Sequence, residues 1–267
     1  MYLKYIFIIV LLNYSLYINC YICQENDLIG LKSIYENMNG DNWNNKINWL
    51  TNTNCCSWFG ITCNNESRVV EIFLSSNNVS NNIPDLNNTL EFLNEIDMYG
   101  NSVTGDLNQL LSLKSLTIIN LGNNLINDEL PDKLFQSEIM SYINFQGNML
   151  HGTIPEINCP KLKNLFLTDN KLSGNFPMIL SSELYNIFVS HNNLINIPDT
   201  FNNTPKLQQL ILNNNNIFDT LPKSLLQTNL RLLDISNNKF FGQIPKEFSK
   251  INTLEDFMQI TIIYLVV

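Results

Sequence analysis

The chain has 267 residues, 45% of them hydrophobic, which is enough for one large domain or two small ones with a buried core. Its formal net charge of -9 argues against nucleic acid or an anionic membrane surface as partner, because both would repel it. A partner with basic groups is easier to accommodate.

Residues 1–20, MYLKYIFIIVLLNYSLYINC, place Lys4 ahead of an apolar run from Tyr5 to Leu12 and then turn polar. That layout predicts a secretory signal peptide, cut between Cys20 and Cys23. A membrane anchor needs about twenty apolar residues, and Asn13, Ser15 and Asn19 interrupt this run too early. Secretion gives meaning to the Asn-x-Ser/Thr sequons at Asn65, Asn78, Asn87 and Asn202, which are the expected glycan sites.

Residues 21–68 form a unit of their own. Leu28, Leu31, Ile34, Tyr35 and Met38 recur at helical spacing; Asn26 or Asp27 can cap the start, and Asn39-Gly40 stops the helix. Trp43, Trp49 and Trp58 supply large apolar bodies for a small core. The stretch NCCSWFGITC, residues 54–63, adds three cysteines to Cys23. Cys23, Cys55, Cys56 and Cys63 allow three pairings, and the strain of bridging adjacent Cys55 and Cys56 leaves two. A zinc site would want a C-x2-C spacing with histidine, and an oxidising route opposes a free catalytic thiol, so no metal or other cofactor is expected.

From Val69 the chain repeats itself. Units such as LKNLFLTDNKLSGNFP and LRLLDISNNKFFGQIP share the pattern L-x-x-L-x-L-x-x-N-x-L-x-G-x-I-P. The asparagine recurs at Asn77, Asn101, Asn124, Asn148, Asn170, Asn192, Asn215 and Asn238, with spacings of 24, 23, 24, 22, 22, 23 and 23. Alternating apolar positions, such as Leu165 and Leu167, put one face of a short strand in the core and the other in solvent. Stacked units predict a parallel sheet of eight strands. An asparagine amide both donates and accepts, so it can satisfy the buried turn after each strand. In this register Asn148 lies in the turn and Asn144 faces solvent. Gly105, Gly152, Gly174 and Gly242 close the turns, with Asn81, Asp128, Asn196 and Asp219 in their place elsewhere.

These motifs resemble the leucine-rich-repeat proteins, in the plant-type subfamily marked by the L-x-G-x-I-P ending. The resemblance implies an α/β fold: a right-handed, curved solenoid with a concave parallel β-sheet and a short 3-10 or irregular convex side. Residues 69–259 would hold eight repeats and a partial ninth at Leu254 and Phe257, and residues 260–267, ITIIYLVV, a short apolar tail. The segment before Val69 is similar to the family's N-terminal cap, which implies the pairings Cys23–Cys55 and Cys56–Cys63. Cys159 is left over and reads as a buried, inert thiol, the alternative being an intermolecular disulfide.

The fold gives a binding site an address. Residues between the core-facing strand positions form the concave face, where Glu71, Glu95 and Asp97 gather near the cap and Tyr142, Phe166, Phe188 and Ile211 make an apolar patch. Signatures of hydrolases, zinc proteases, phosphate loops and kinases are missing, and His151 and His191 fall in repeat turns. The expectation is a secreted or cell-surface, non-catalytic module binding a protein, peptide or glycan, as in receptor-like ectodomains. Its alternatives are a secreted inhibitor of a cell-wall-degrading hydrolase, similar to those that block polygalacturonases, and, less in keeping with an open face, a glycoside hydrolase using the acidic cluster. The tail is too short to span a bilayer and has no capping cysteine, so the chain reads as a truncated product that meets the membrane only if it continues past Val267; otherwise the tail covers the open end itself or mediates dimerisation.

Overall fold

A computed structural model of the chain describes residues 23–258. The signal peptide expected over residues 1–20 and the tail at 260–267 lie outside the described residues. Helix α1, Glu25–Asn37, opens the cap. Its N-cap residue is Gln24, whose side chain makes no capping bond. The expected caps, Asn26 and Asp27, sit inside the first turn instead, because Asp27 is drawn into an ion pair with Arg68. The helix stops as expected at Asn39, in the left-handed region with φ 61. Gly40 then passes against Tyr35, where any Cβ would stand 2.4 Å from the ring.

Leu31, Ile34 and Met38 are buried against an aromatic cluster. Trp43 meets Trp49 edge-on with centroids 4.9 Å apart, and Trp49 lies 5.0 Å from Trp58. The indole N–H of Trp43 donates to the Met38 carbonyl at 2.9 Å, and that of Trp49 to the Phe59 carbonyl at 2.9 Å. Cys23 is bonded to Cys55 and Cys56 to Cys63. The two bridges pass side by side, which places the sulfurs of Cys55, Cys56 and Cys63 within 4.8 Å of one another.

The long sheet has ten strands rather than the expected eight. Six are β2 Val69–Phe73, β4 Glu95–Asp97, β6 Ile118–Asn120, β7 Tyr142–Asn144, β8 Asn164–Phe166 and β10 Asn186–Phe188; β12 Gln209–Ile211 and β13 Leu232–Asp234 complete the repeats. One strand is added at each end. β1, Ile61–Cys63, pairs antiparallel with β2 and belongs to the cap; β14, Asp256–Met258, is the strand of the ninth unit and is parallel to β13. A second feature escapes the repeat pattern as first read. Short parallel pairs, β3 Ser80–Asn82 with β5 Ser102–Thr104 and β9 Ser173–Asn175 with β11 Asn193–Asn196, line the flank after the asparagine turn.

Each repeat strand buries a core residue, from Ile72 through Leu165 to Leu233, and leaves the neighbours on either side of it on the open face, with Asn144 the one exception. The asparagine ladder does what its chemistry allows. Asn148 donates to the carbonyls of Phe145 (3.1 Å) and Gln146 (3.3 Å) in its own turn and of Leu121 (2.9 Å) in the previous unit. Its Oδ1 accepts from the Ile126 N–H at 3.0 Å. Asn77, at the head of the ladder, exchanges bonds with the backbone of Asn45 and so ties the cap to the first repeat.

Asn144 does not face solvent as expected; it is 4% exposed. Its Nδ2 donates to Asn120 Oδ1 at 2.9 Å, its Oδ1 accepts from the Gln146 N–H at 3.0 Å, and Phe166 stands in register beside it. Large neighbours on the sheet cover a short amide. In the turns, Gly105 and Gly152 take positive φ (103 and 76), a conformation that is strained for most side chains. Asn81 adopts it too (φ 74), whereas Asp128 bonds the backbone N–H of Leu107 at 2.8 Å instead. On the convex side, Pro131 and Pro222 precede 3-10 turns at Asp132–Gln136 and Lys223–Gln227, with φ of -68 and -61 that the pyrrolidine ring presets.

Candidate binding face

The open face of the long sheet brings the candidate residues into two neighbouring zones. In the first, Glu71 on β2 is in register with Glu95 on β4, and Phe73 with Asp97. Asp97 accepts from the Ser75 hydroxyl, from the Tyr99 N–H at 3.0 Å and from Asn120 Nδ2 at 3.1 Å. Burial pushes the Glu95 carboxyl up, and the charges of Glu71 and Asp97 push it the same way. Among the described residues, no lysine or arginine pairs with these three carboxylates.

The second zone is an aromatic ladder across three successive strands. Tyr142 meets Phe166 edge-on with centroids 5.5 Å apart, and Phe166 meets Phe188 at 4.9 Å. Ile211 extends the row in register with Phe188. All four are half-buried rather than fully exposed, because each ring shields the next. Burial is the main cause that raises the Tyr142 hydroxyl; a hydrogen bond to Asn144 opposes it, and the charges of Asp97 and Glu95 add to it. The two zones therefore sit within reach of one another. Beside the rings runs a row of amides, where Asn186 Nδ2 donates to Asn164 Oδ1 at 2.7 Å.

Charge is divided along the chain in the same sense. Residues 23–140 carry 15 acidic and 5 basic side chains, whereas residues 141–258 carry 9 of each. A polar cleft of about 570 Å³ lies away from this face, lined by Asn26, Asn87, Glu91, Gln109 and Lys114 among others. His151 and His191 stay on the surface, each 3.8 Å from a carboxylate. Asn65, Asn78, Asn87 and Asn202 are exposed, and Asn78 uses its amide to hold the Asn42 carbonyl at 2.8 Å. Cys159 is buried, and burial pushes its thiol up to about 11.

One surface row was missed in the sequence. Phe218 and Phe241 meet at a tilt of 34° with centroids 4.8 Å apart on the flank, next to exposed Ile195. The signal was available three residues after each ladder asparagine, where Ser80, Thr104, Asn127, His151 and Ser173 give way to Ile195, Phe218 and Phe241. No helix among the described residues is long and apolar enough to cross a membrane.

The family model "Leucine rich repeat N-terminal domain" matches residues 24–64, and "Leucine Rich Repeat" matches residues 206–227 and 229–251. Phytosulfokine receptor 1 of Arabidopsis thaliana is 27% identical over 143 residues, which is 52% of this chain and 12% of the receptor. Receptor-like protein 9a of the same plant is 29% identical over 163 residues, 57% of this chain and 17% of that protein. The chain thus spans less than a fifth of either relative. In fold it is similar to the Arabidopsis receptor kinase HAESA, solved in complex with the peptide hormone IDA and the co-receptor SERK1; the TM-score is 0.80 at 26% identity, covering 90% of this chain and 42% of that one. Cap, repeats and relatives agree: the chain carries a leucine-rich-repeat N-terminal cap and leucine-rich repeats, and is similar to plant receptor-like proteins.

Proposed function

We propose that this chain is a non-catalytic extracellular module that binds a peptide or a protein segment on the concave face of its long sheet. The observation that carries the reading is the ladder of Tyr142, Phe166 and Phe188, a row of rings that nothing else in the fold covers fully. Buried aromatic anchors contribute most of the free energy at interfaces, and a regular sheet presents them without rearrangement. The solved relative HAESA holds a peptide hormone, which supports a ligand of the same class here. The cap disulfides and the expected signal peptide support an extracellular address.

The test uses peptides selected from a displayed library on the wild-type protein. Phe166→Ala with Phe188→Ala should weaken their binding by about 2 kcal/mol or more, with the circular dichroism spectrum retained. Phe218→Ala with Phe241→Ala, on the flank, should leave binding unchanged. Binding that survives the first pair and is lost with the second would move the site to the flank.

A further inference from the structure

We infer that the concave face selects an extended peptide with a basic side chain about four residues from an apolar one, lying with its basic residue toward the cap. This rests on the reading of the face as a peptide site and adds the ligand's chemistry and orientation.

Glu71, Glu95 and Asp97 occupy adjacent strands, and no cation of the described chain neutralises them. Glu71 and Glu95 are half-exposed on the open face, so both carboxylates are open to accept from a ligand. Asp97 is held in place by a directed chain of amides. Asn144 donates to Asn120, Asn120 donates to Asp97, and the Ser75 hydroxyl donates to the other carboxylate oxygen. In the column from Asp97 to Phe166 the floor, Asn120 and Asn144, is therefore neutral and already hydrogen-bonded, while Ile118 and Tyr142 continue the apolar strip beside it; it offers a ligand no charge. Recognition falls to the two ends of the strip.

The register fixes their separation. From β4, with Glu95 and Asp97, to β8, with Phe166, there are three strand steps, through β6 and β7. At about 4.8 Å per step this is roughly 14 Å, which an extended chain covers in about four residues at about 3.3 Å each. A guanidinium or ammonium over the carboxylates then leaves an aliphatic or aromatic side chain over Phe166 and Phe188. The charge division of the chain, acidic before residue 141 and balanced after it, orients the same ligand during approach.

The experiment selects a random displayed peptide library on three immobilised proteins: wild type, Glu71→Gln/Glu95→Gln/Asp97→Asn, and Phe166→Ala/Phe188→Ala. The carboxamides keep the shape of the residues they replace, and thermal melts check that each protein is folded. Wild type should enrich peptides with Lys or Arg about three to five positions from a large apolar residue. A synthetic copy of such a peptide should bind the carboxamide protein at least about fivefold more weakly, and lose that difference in high salt. Enriched peptides that need Phe166 and Phe188 but are acidic, uncharged or irregular in spacing overturn this inference and leave the concave reading standing. Peptides that bind all three proteins equally, or no enrichment at all, overturn both.

Discussion

Asp27 and Arg68 form a two-point ion pair that fixes the cap on the solenoid, with Nε–Oδ2 at 2.9 Å and Nη2–Oδ1 at 3.1 Å. The Asp27 side chain is fully buried and that of Arg68 16% exposed. Asp27 Oδ2 also accepts from the Val69 N–H at 2.9 Å, and the guanidinium lies 4.2 Å from the centre of the Phe92 ring. One carboxylate in α1 thus holds the first strand of the repeats and, through Arg68, the loop before the second. Removing one partner of a buried pair leaves the other uncompensated, so Asp27→Ala should cost about 3 to 5 kcal/mol in denaturant unfolding. A double-mutant cycle with Arg68→Ala should show coupling. Additive single effects would mean that the pair holds nothing.

The disulfides should act on the same boundary. Non-reducing peptide mapping should find Cys23 with Cys55 and Cys56 with Cys63, and Cys23→Ser should cost about 2 to 4 kcal/mol through the longer loop it opens. Cys159 should resist alkylation at neutral pH until the protein unfolds, since its thiol is buried and titrates near 11. Rapid labelling of the folded protein would contradict that placement.

The asparagine ladder gives a contrast within one unit. Asn148→Ala strips partners from four backbone groups and should cost at least about 2 kcal/mol. Asn144→Ala removes one bond to a side chain and one to a backbone N–H, and should cost about 1 kcal/mol, more than a solvated residue would. Equal losses in thermal or denaturant melts would put the ladder in the wrong column.

The sequence announced the ladder because its spacing is a direct image of the fold: each asparagine closes one turn, so the period of the residue is the period of the structure. The columns of the open face follow from the same register, so the sequence alone sets Tyr142, Phe166 and Phe188 side by side. What stayed hidden depends on the size and direction of side chains. Whether Asn144 is covered depends on the reach of Phe166 from the next strand, and Asp27 looks like a helix cap until Arg68, 41 residues later, is seen to claim it. Of the two added strands, β14 falls in the partial ninth unit that Leu254 and Phe257 mark, whereas β1 comes from the cap, outside the repeat pattern, where alternation over three residues carries little signal.

Glu95 should make stability depend on pH in a definite sense. Its folded carboxyl is raised, by burial first and by Glu71 and Asp97 next, so the folded state holds its proton more tightly than the unfolded chain. The protonated group's contribution is fully present below the ordinary carboxylate range and is lost as pH rises through the raised folded value. Glu95→Gln should therefore stabilise the protein at neutral pH and give no such gain in acid. Melting curves at the two conditions check this; a loss of stability at neutral pH would show that the Glu95 charge is favourable.

The central claim, that the ligand lies on the concave face, can be tested with one substitution. Phe188→Thr creates an Asn-x-Thr sequon at Asn186, in the middle of the open sheet, while Phe188→Val removes the ring without adding a glycan. The measurement is the affinity of a library-selected peptide for the glycan-bearing Phe188→Thr protein beside the Phe188→Val protein, both secreted and folded by circular dichroism. The account predicts weakened binding to the valine protein and none to the glycosylated one. Equal binding by the two would place the ligand elsewhere on the molecule.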